Sequence, residues 1–141
     1  MGVELSRGML AIARRRAAEL GMAADLREGD AQRLELADHS FDWAVCTISL
    51  CSIPEDRRAV REVWRVLRPG GRFILVEHVR SPNLFVRAIE HVMNPISVRS
   101  SGEHVLREPL EALAAAGFTI EYQARLRLGI MERIVARKPP A

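Results

Sequence analysis

Long apolar runs are missing from this sequence. No stretch of about 18 apolar residues occurs in it, so no segment is expected to span a membrane. Its first residues also lack the charged-then-apolar pattern of a secretory leader, and the expected location is the cytoplasm. An excess of one charge is missing too. The net charge is only +3, and the basic residues, all Arg except Lys138, are interspersed with Asp and Glu. That argues against a dedicated nucleic-acid surface. Cysteine is limited to Cys46 and Cys51, whose spacing is neither a CxxC redox pair nor half of a zinc site. Two buried free thiols and no bound metal are expected. Neither an internal repeat nor a linker is visible, so the 141 residues, 48% of them apolar, are expected to form a single domain, 1–141.

What is present is an alternation of helical and strand-like segments. Ser6 is suited to cap a helix whose apolar stripe is Met9, Leu10, Ala13, Ala17 and Leu20, stopped by Gly21. Residues 24–28 alternate apolar and charged positions and run into Gly29-Asp30, a short strand ending in a loop. Residues 41–49 are nearly continuously apolar or β-favouring, which predicts a strand covered on both faces in the middle of a sheet. From Pro54 onward, Val60, Val63, Trp64 and Leu67 recur at helical spacing. Pro69-Gly70 then predicts a type II turn, and residues 73–76 another buried strand. Strand, helix, turn and strand make the βαβ unit of a parallel sheet. An amphipathic helix is predicted over 84–93, ending near Pro95, and a further one over 109–116, closed by Gly117. Strict alternation of Phe118, Ile120, Tyr122, Ala124 and Leu126, followed by Gly129 and residues 134–136, predicts a terminal antiparallel hairpin.

Two acids stand where strands end. Ligands of doubly wound sheets bind at the carboxyl ends of the strands, and Glu4 there can accept hydrogen bonds from both hydroxyls of a ribose. It can equally be an acid favoured by the dipole of the following helix. Asp30 can accept a bond from an exocyclic amine such as that of adenine, or simply close an Asx turn. Two successive strands ending in Glu and in Gly-Asp are suited to hold a nucleoside by its sugar and its base.

The stretch Glu4-Leu5-Ser6-Arg7-Gly8-Met9-Leu10, then Gly29-Asp30-Ala31, then Phe41-Asp42, then Arg65-Val66-Leu67-Arg68-Pro69-Gly70-Gly71 resembles the ordered motifs of class I methyltransferases of the type 11 group. Within that group, residues 45–52 and Glu77-His78-Val79 resemble the branch containing thiol methyltransferases, and the ubiquinone and menaquinone methyltransferases more loosely. The resemblance implies an α/β, Rossmann-like sheet with a C-terminal antiparallel hairpin, S-adenosyl-L-methionine as cofactor, and methyl transfer to a small-molecule acceptor: a thiol, a hydroxyl or a lipid-like compound. It further implies that Glu4 binds the ribose, Leu5 and Met9 flank the adenosine, and Asp30 with Ala31 contacts the adenine. Thr47 and Ser49 would face the methionine part, while Asp42 shapes the strand entry.

The sequence departs from the family at its start. Members have a strand, a glycine-rich turn and a helix before the position of Glu4, and Met1 precedes Glu4 by only three residues. The expectation is therefore a chain missing that first unit, either as a truncated reading of a longer gene or with a partner, such as a second copy, filling the central gap. Two other readings stay open: a catalytically impaired remnant serving as a partner subunit, and a fragment of a nicotinamide-dependent oxidoreductase, whose ribose also binds an acid at a strand end. Glu-His recurs at Glu77-His78, Glu90-His91 and Glu103-His104, which reads as coincidence and not as a metal cluster. His78, at the end of a strand, is the candidate general base. The 84–93 helix is read first as packed on the sheet, and alternatively as a lid over an apolar substrate or a shallow membrane contact.

Overall fold

The computed structural model describes residues 1–79, 81–101, 108–126 and 129–140. Its elements follow the order β1 (Gly2–Glu4), α1 (Arg7–Glu19), β2 (Leu26–Glu28), β3 (Phe41–Thr47), a 3-10 turn (Leu50–Ser52) and α2 (Asp56–Val66). Then come β4 (Leu67–His78), α3 (Leu84–Ser101), α4 (Pro109–Ala116), β5 (Thr119–Leu126) and β6 (Met131–Arg137). β1 and β2 pair in parallel as a two-stranded sheet, and the other strands form a four-stranded sheet in the order β3-β4-β6-β5. β3-α2-β4 is the parallel βαβ unit, and β5-β6 is the antiparallel hairpin that joins it through β4.

The core lies on one face of the larger sheet. Phe73 and Leu75 of β4 stand in register with Ala136 and Ile134 of β6, and all four pack against Ala59 and Val60 of α2 and Ala112 and Leu113 of α4. Trp64 meets the edge of Phe118 at 4.8 Å between ring centroids, closing the α2 end of that core. Lys138, nearly buried, caps the end of α2 by donating to the carbonyls of Trp64 and Leu67 at 2.7 and 2.8 Å. Burial lowers its ammonium pKa.

Local signals place several elements as expected. Ser6 caps α1, its Oγ accepting from the amide of Met9, and Gly117 adopts the left-handed conformation that ends α4. Gly70 has φ +83, as the Pro69-Gly70 turn requires, but the turn sits inside β4. Phe41 pairs with Leu67 and Trp43 with Arg72, so the turn is looped out of the ladder between them.

Five expectations need correction. β3 is an edge strand among the described residues, and Trp43 and Val45 remain 54% and 69% exposed. Its continuous apolar character therefore leaves one face unpacked, which the sequence pattern could not separate from a strand covered twice. The apolar stripe of α1 buries only Leu10 among the described residues, because the helix packs chiefly on the two short strands. α3 runs through Pro95 to Ser101. Proline removes one ladder bond, toward the carbonyl of His91, and in an exposed stretch that carbonyl can turn to water. Nor are its described apolar side chains packed on the sheet: Leu84, Phe85, Ile89, Val92 and Met93 are exposed. Finally, the alternation in β5 is broken at Glu121, where Ile120 pairs with Ala136 but Tyr122 with Val135. The bulge turns Tyr122, Ala124 and Leu126 to the opposite face and brings Gln123 and Arg125 to the core side, where both donate to buried Glu132.

Candidate functional site

Glu4 and Glu28 are paired positions of the parallel strands β1 and β2, so both strands deliver their carboxyl ends to one edge. Just beyond, the amide of Gly29 donates to the carbonyl of Glu4 at 3.1 Å. A Cβ on Gly29 would lie 2.9 Å from Cγ1 of Val3, so only glycine allows the chain to approach β1 this closely. That approach sets Asp30 beside the end of β1.

The Asp30 carboxylate accepts from the amide of Gln32 at 2.8 Å and from its side-chain Nε2 at 3.0 and 3.1 Å. These bonds, the backbone one foremost, hold its pKa below the usual carboxylate range. The Asx turn is thus present, and it delivers an ionised carboxylate of fixed orientation. Oε1 of Glu4 accepts from the amide of Ser6 at 2.8 Å, at the N-terminus of α1. The acid is half-buried there and favoured by the helix dipole.

Two adjoining clefts flank this edge and share Val3, Leu34 and Leu36 in their walls. One, of about 430 Å³, is lined by Arg27, Glu28, Gly29, Asp30 and Arg33. The other, of about 370 Å³, lies between β1 and β3 and is lined by Ala31, Trp43, Cys46, Thr47, Ser49 and Leu50. The fold thus places Asp30 in the first cleft and Ala31, Thr47 and Ser49 in the second. Glu4, Leu5 and Met9 line neither cleft, and Leu5 and Met9 are more than half exposed. Asp42 lies at the opposite end of β3 and accepts from Arg68 at 2.6 and 2.7 Å, in keeping with a role in shaping the strand entry.

His78 ends β4 two residues beyond Val76, the partner of Thr47, and by strand alternation shares that residue's face of the sheet. Its Nδ1 is buried without a partner among the described residues, and the side chain lines neither cleft. Glu77 points to the other face, so the two residues do not act as a pair. Its Oε1 accepts from the amides of Ser49 and Leu50 and from the thiol of Cys46. Burial, with the Glu77 carboxylate second, pushes the Cys46 thiol up to about 12, which leaves it an inert group. Both cysteines are free. Of the Glu-His pairs, Glu103 and His104 lie outside the described residues, as does the side chain of Glu90.

Sequence reasoning missed four contributors. Gln32 orients Asp30, and its adjacency was the available signal. Glu62 and Arg65 of α2 anchor the cleft wall: Glu62 accepts from the amide of Leu34 at 2.7 Å, and Arg65 donates to the carbonyls of Leu34 and Leu36. Glu77 reaches the turn after β3. No local pattern signals these last contacts, which span 27 to 31 residues.

Comparison with known proteins gives the chain's relatives and its fold. A demethylmenaquinone methyltransferase of Thermus thermophilus is 29% identical over 99% of this chain and 71% of its own length. A thiol S-methyltransferase of Homo sapiens is 40% identical over 60% of this chain. The chain spans only 36% of that relative. In fold, the chain superposes on the crystal structure of a SAM-dependent methyltransferase from Methanosarcina mazei with a TM-score of 0.78, at 24% identity, covering 99% of this chain and 82% of the other. It also superposes on the [4+2]-cyclase SpnF with a TM-score of 0.79, at 26% identity, covering 99% and 66%. Such likeness fixes a Rossmann-like α/β fold without fixing the chemistry done on it. The methyltransferase-domain family itself matches residues 1–75, the span that carries Glu4, Asp30, Thr47 and Ser49, and this chain belongs to that family.

Proposed function

We propose that the chain supplies the adenosine-binding edge and one wall of the reaction cleft of an S-adenosylmethionine-dependent methyltransferase acting on a small-molecule acceptor, a thiol, hydroxyl or lipid-like compound. The observation that carries this reading is the pair of carboxylates, Glu4 and Asp30, set by parallel strands at one edge beside the recess lined by Thr47 and Ser49. The donor set suits the nucleoside half of the cofactor. Glu4 has acceptor capacity left for ribose hydroxyls, and Asp30 is held ionised to accept from an adenine amine.

The bound cofactor supplies a methyl group on a sulfonium, already a good leaving group, so holding the reactants in line can provide most of the rate. Thr47 and Ser49 line the recess toward that centre, while Trp43 and Leu50 give it an apolar wall that excludes water. His78 is retained as the candidate for taking the acceptor's proton from its position at the carboxyl end of β4 alone, a role that requires its ring to turn toward the recess, since it lines neither cleft here. The relatives named above act, by name, on a quinone precursor and on thiols, acceptors of the class proposed. The cleft between β1 and β3 also receives the unpaired edges of both strands among the described residues. We assign the part of it between the two strands to an extended strand supplied by the whole protein or by a second copy, and only the part at their carboxyl ends, beside Thr47 and Ser49, to the methyl donor.

Trp43 provides the test, because it lines the recess. Its fluorescence should respond saturably to S-adenosylhomocysteine in the full natural protein and not to NAD. A response to NAD alone would replace this reading with the oxidoreductase one, and no response to either would favour a non-catalytic subunit.

A further inference from the structure

Glu77 is 1% exposed, yet no cation pairs with it among the described residues. Glu132, its register partner on β6 and equally buried, does have one in Arg125, at 3.0 Å. All three donors to Glu77 converge on a single oxygen: the amide of Ser49 at 3.0 Å, the amide of Leu50 at 3.1 Å and the Cys46 thiol at 3.1 Å. Its Oε2 is buried with no partner among the described residues. A buried carboxylate with one orphaned oxygen is unfavourable, and an apolar side chain here would extend the Phe73 and Leu75 row of the core. The acid's contribution must lie in what its other oxygen holds.

What it holds is a strained turn. Ile48, a β-branched residue, sits at φ +48 between Thr47 and Ser49, a conformation that persists only where surrounding bonds over-determine it. Glu77 ties down the two amides immediately after it, and Ser49 Oγ donates to the carbonyl of Thr47 at 3.0 Å. The residues so fixed, Cys46, Thr47, Ser49 and Leu50, all line the recess between β1 and β3.

We propose that Glu77 is a positioning residue: through Oε1 it clamps the turn after β3 so that Thr47 and Ser49 present a fixed surface to the methyl donor. This role rests on the methyltransferase reading above, and Glu77 itself touches neither donor nor acceptor.

The test compares Glu77→Asp with Glu77→Gln in the full natural protein. Aspartate keeps the charge but withdraws the oxygen by one methylene, whereas glutamine loses the charge and keeps an oxygen at the same reach. In the Asp variant, amide hydrogen exchange at Ser49 and Leu50 should rise by about tenfold or more, and kcat should fall by about tenfold or more with KM for S-adenosylmethionine changed by less than about threefold. The Gln variant should recover both to within about threefold of the parent. Parental exchange and kcat in the Asp variant would overturn the proposal. Equal loss of kcat in both variants with unchanged exchange would do the same. If the parent protein binds no S-adenosylhomocysteine, the functional reading fails separately, and the exchange measurement still decides whether Glu77 holds the turn.

Discussion

Glu4 and Asp30 carry unequal weight at the level of single residues. Two hydroxyls of one ribose can bond to Glu4, whose carboxylate has one backbone partner, whereas Asp30 already takes three bonds from Gln32 and has less acceptor capacity free. Charge-assisted bonds contribute about 1.5 to 3 kcal/mol each. Glu4→Ala should therefore weaken binding of S-adenosylhomocysteine more than Asp30→Ala, and titration calorimetry on both variants would show it; equal losses would return Glu4 to a purely dipole-stabilised role. His78 makes a second prediction. If it takes the acceptor's proton, activity should rise through an apparent pKa of about 6.5, and His78→Gln should remove that limb at a loss of about 10²-fold or less. An unchanged pH profile would leave His78 structural. Both carboxylates were legible in the sequence because strand ends and Gly-Asp turns are local signals. The function of Glu77 was not, since its partners lie 27 to 31 residues away and only the register of β3 with β4 unites them.

Elements were readable where their boundaries are chemical and obscure where their surroundings decide. Pro109 and Gly117 bracket α4 as the cap rules require. The bulge at Glu121 left no trace in an alternating sequence, yet it decides which side of β5 faces the core. The apolar run of β3 reads the same whether one face is covered or two. The segment between β2 and β3 is held to α2 by Glu62 and Arg65, which also form an ion pair at 2.8 Å. The bond from Arg65, foremost, holds the Glu62 carboxyl below its ordinary value of 4.5. A carboxyl depressed by folding contributes stability that is fully present above its ordinary value and lost as pH falls through its folded one. Urea midpoints should therefore decline as pH drops below about 4.5, and Glu62→Gln should flatten that decline while lowering the midpoint at neutral pH. An identical pH dependence in the variant would show that this anchor contributes nothing to folding.

On the scale of the whole molecule, no helix among the described residues is long and apolar enough to cross a membrane, and exposed apolar side chains lie on and beside α1 (Leu5, Met9, Ile12, Leu20 and Met22) and in two further places. One is the exposed side of α3; the other is the cleft between β1 and β3, with Trp43 and Val45 on its β3 wall. The second is lined by Ala31, Thr47 and Ser49, three of the residues proposed to meet the cofactor, so donor binding and completion of the sheet are expected to be coupled there. The proposed methyltransferase role requires this edge to bind the adenosine of S-adenosylmethionine, with Glu4 accepting from its ribose. Calorimetric titration of the full natural protein with S-adenosylhomocysteine, beside its Glu4→Ala variant, tests that most directly. Saturable one-to-one binding, weakened by about tenfold or more in the variant, is the expected result. No binding by the parent protein, or equal binding by both, would contradict it.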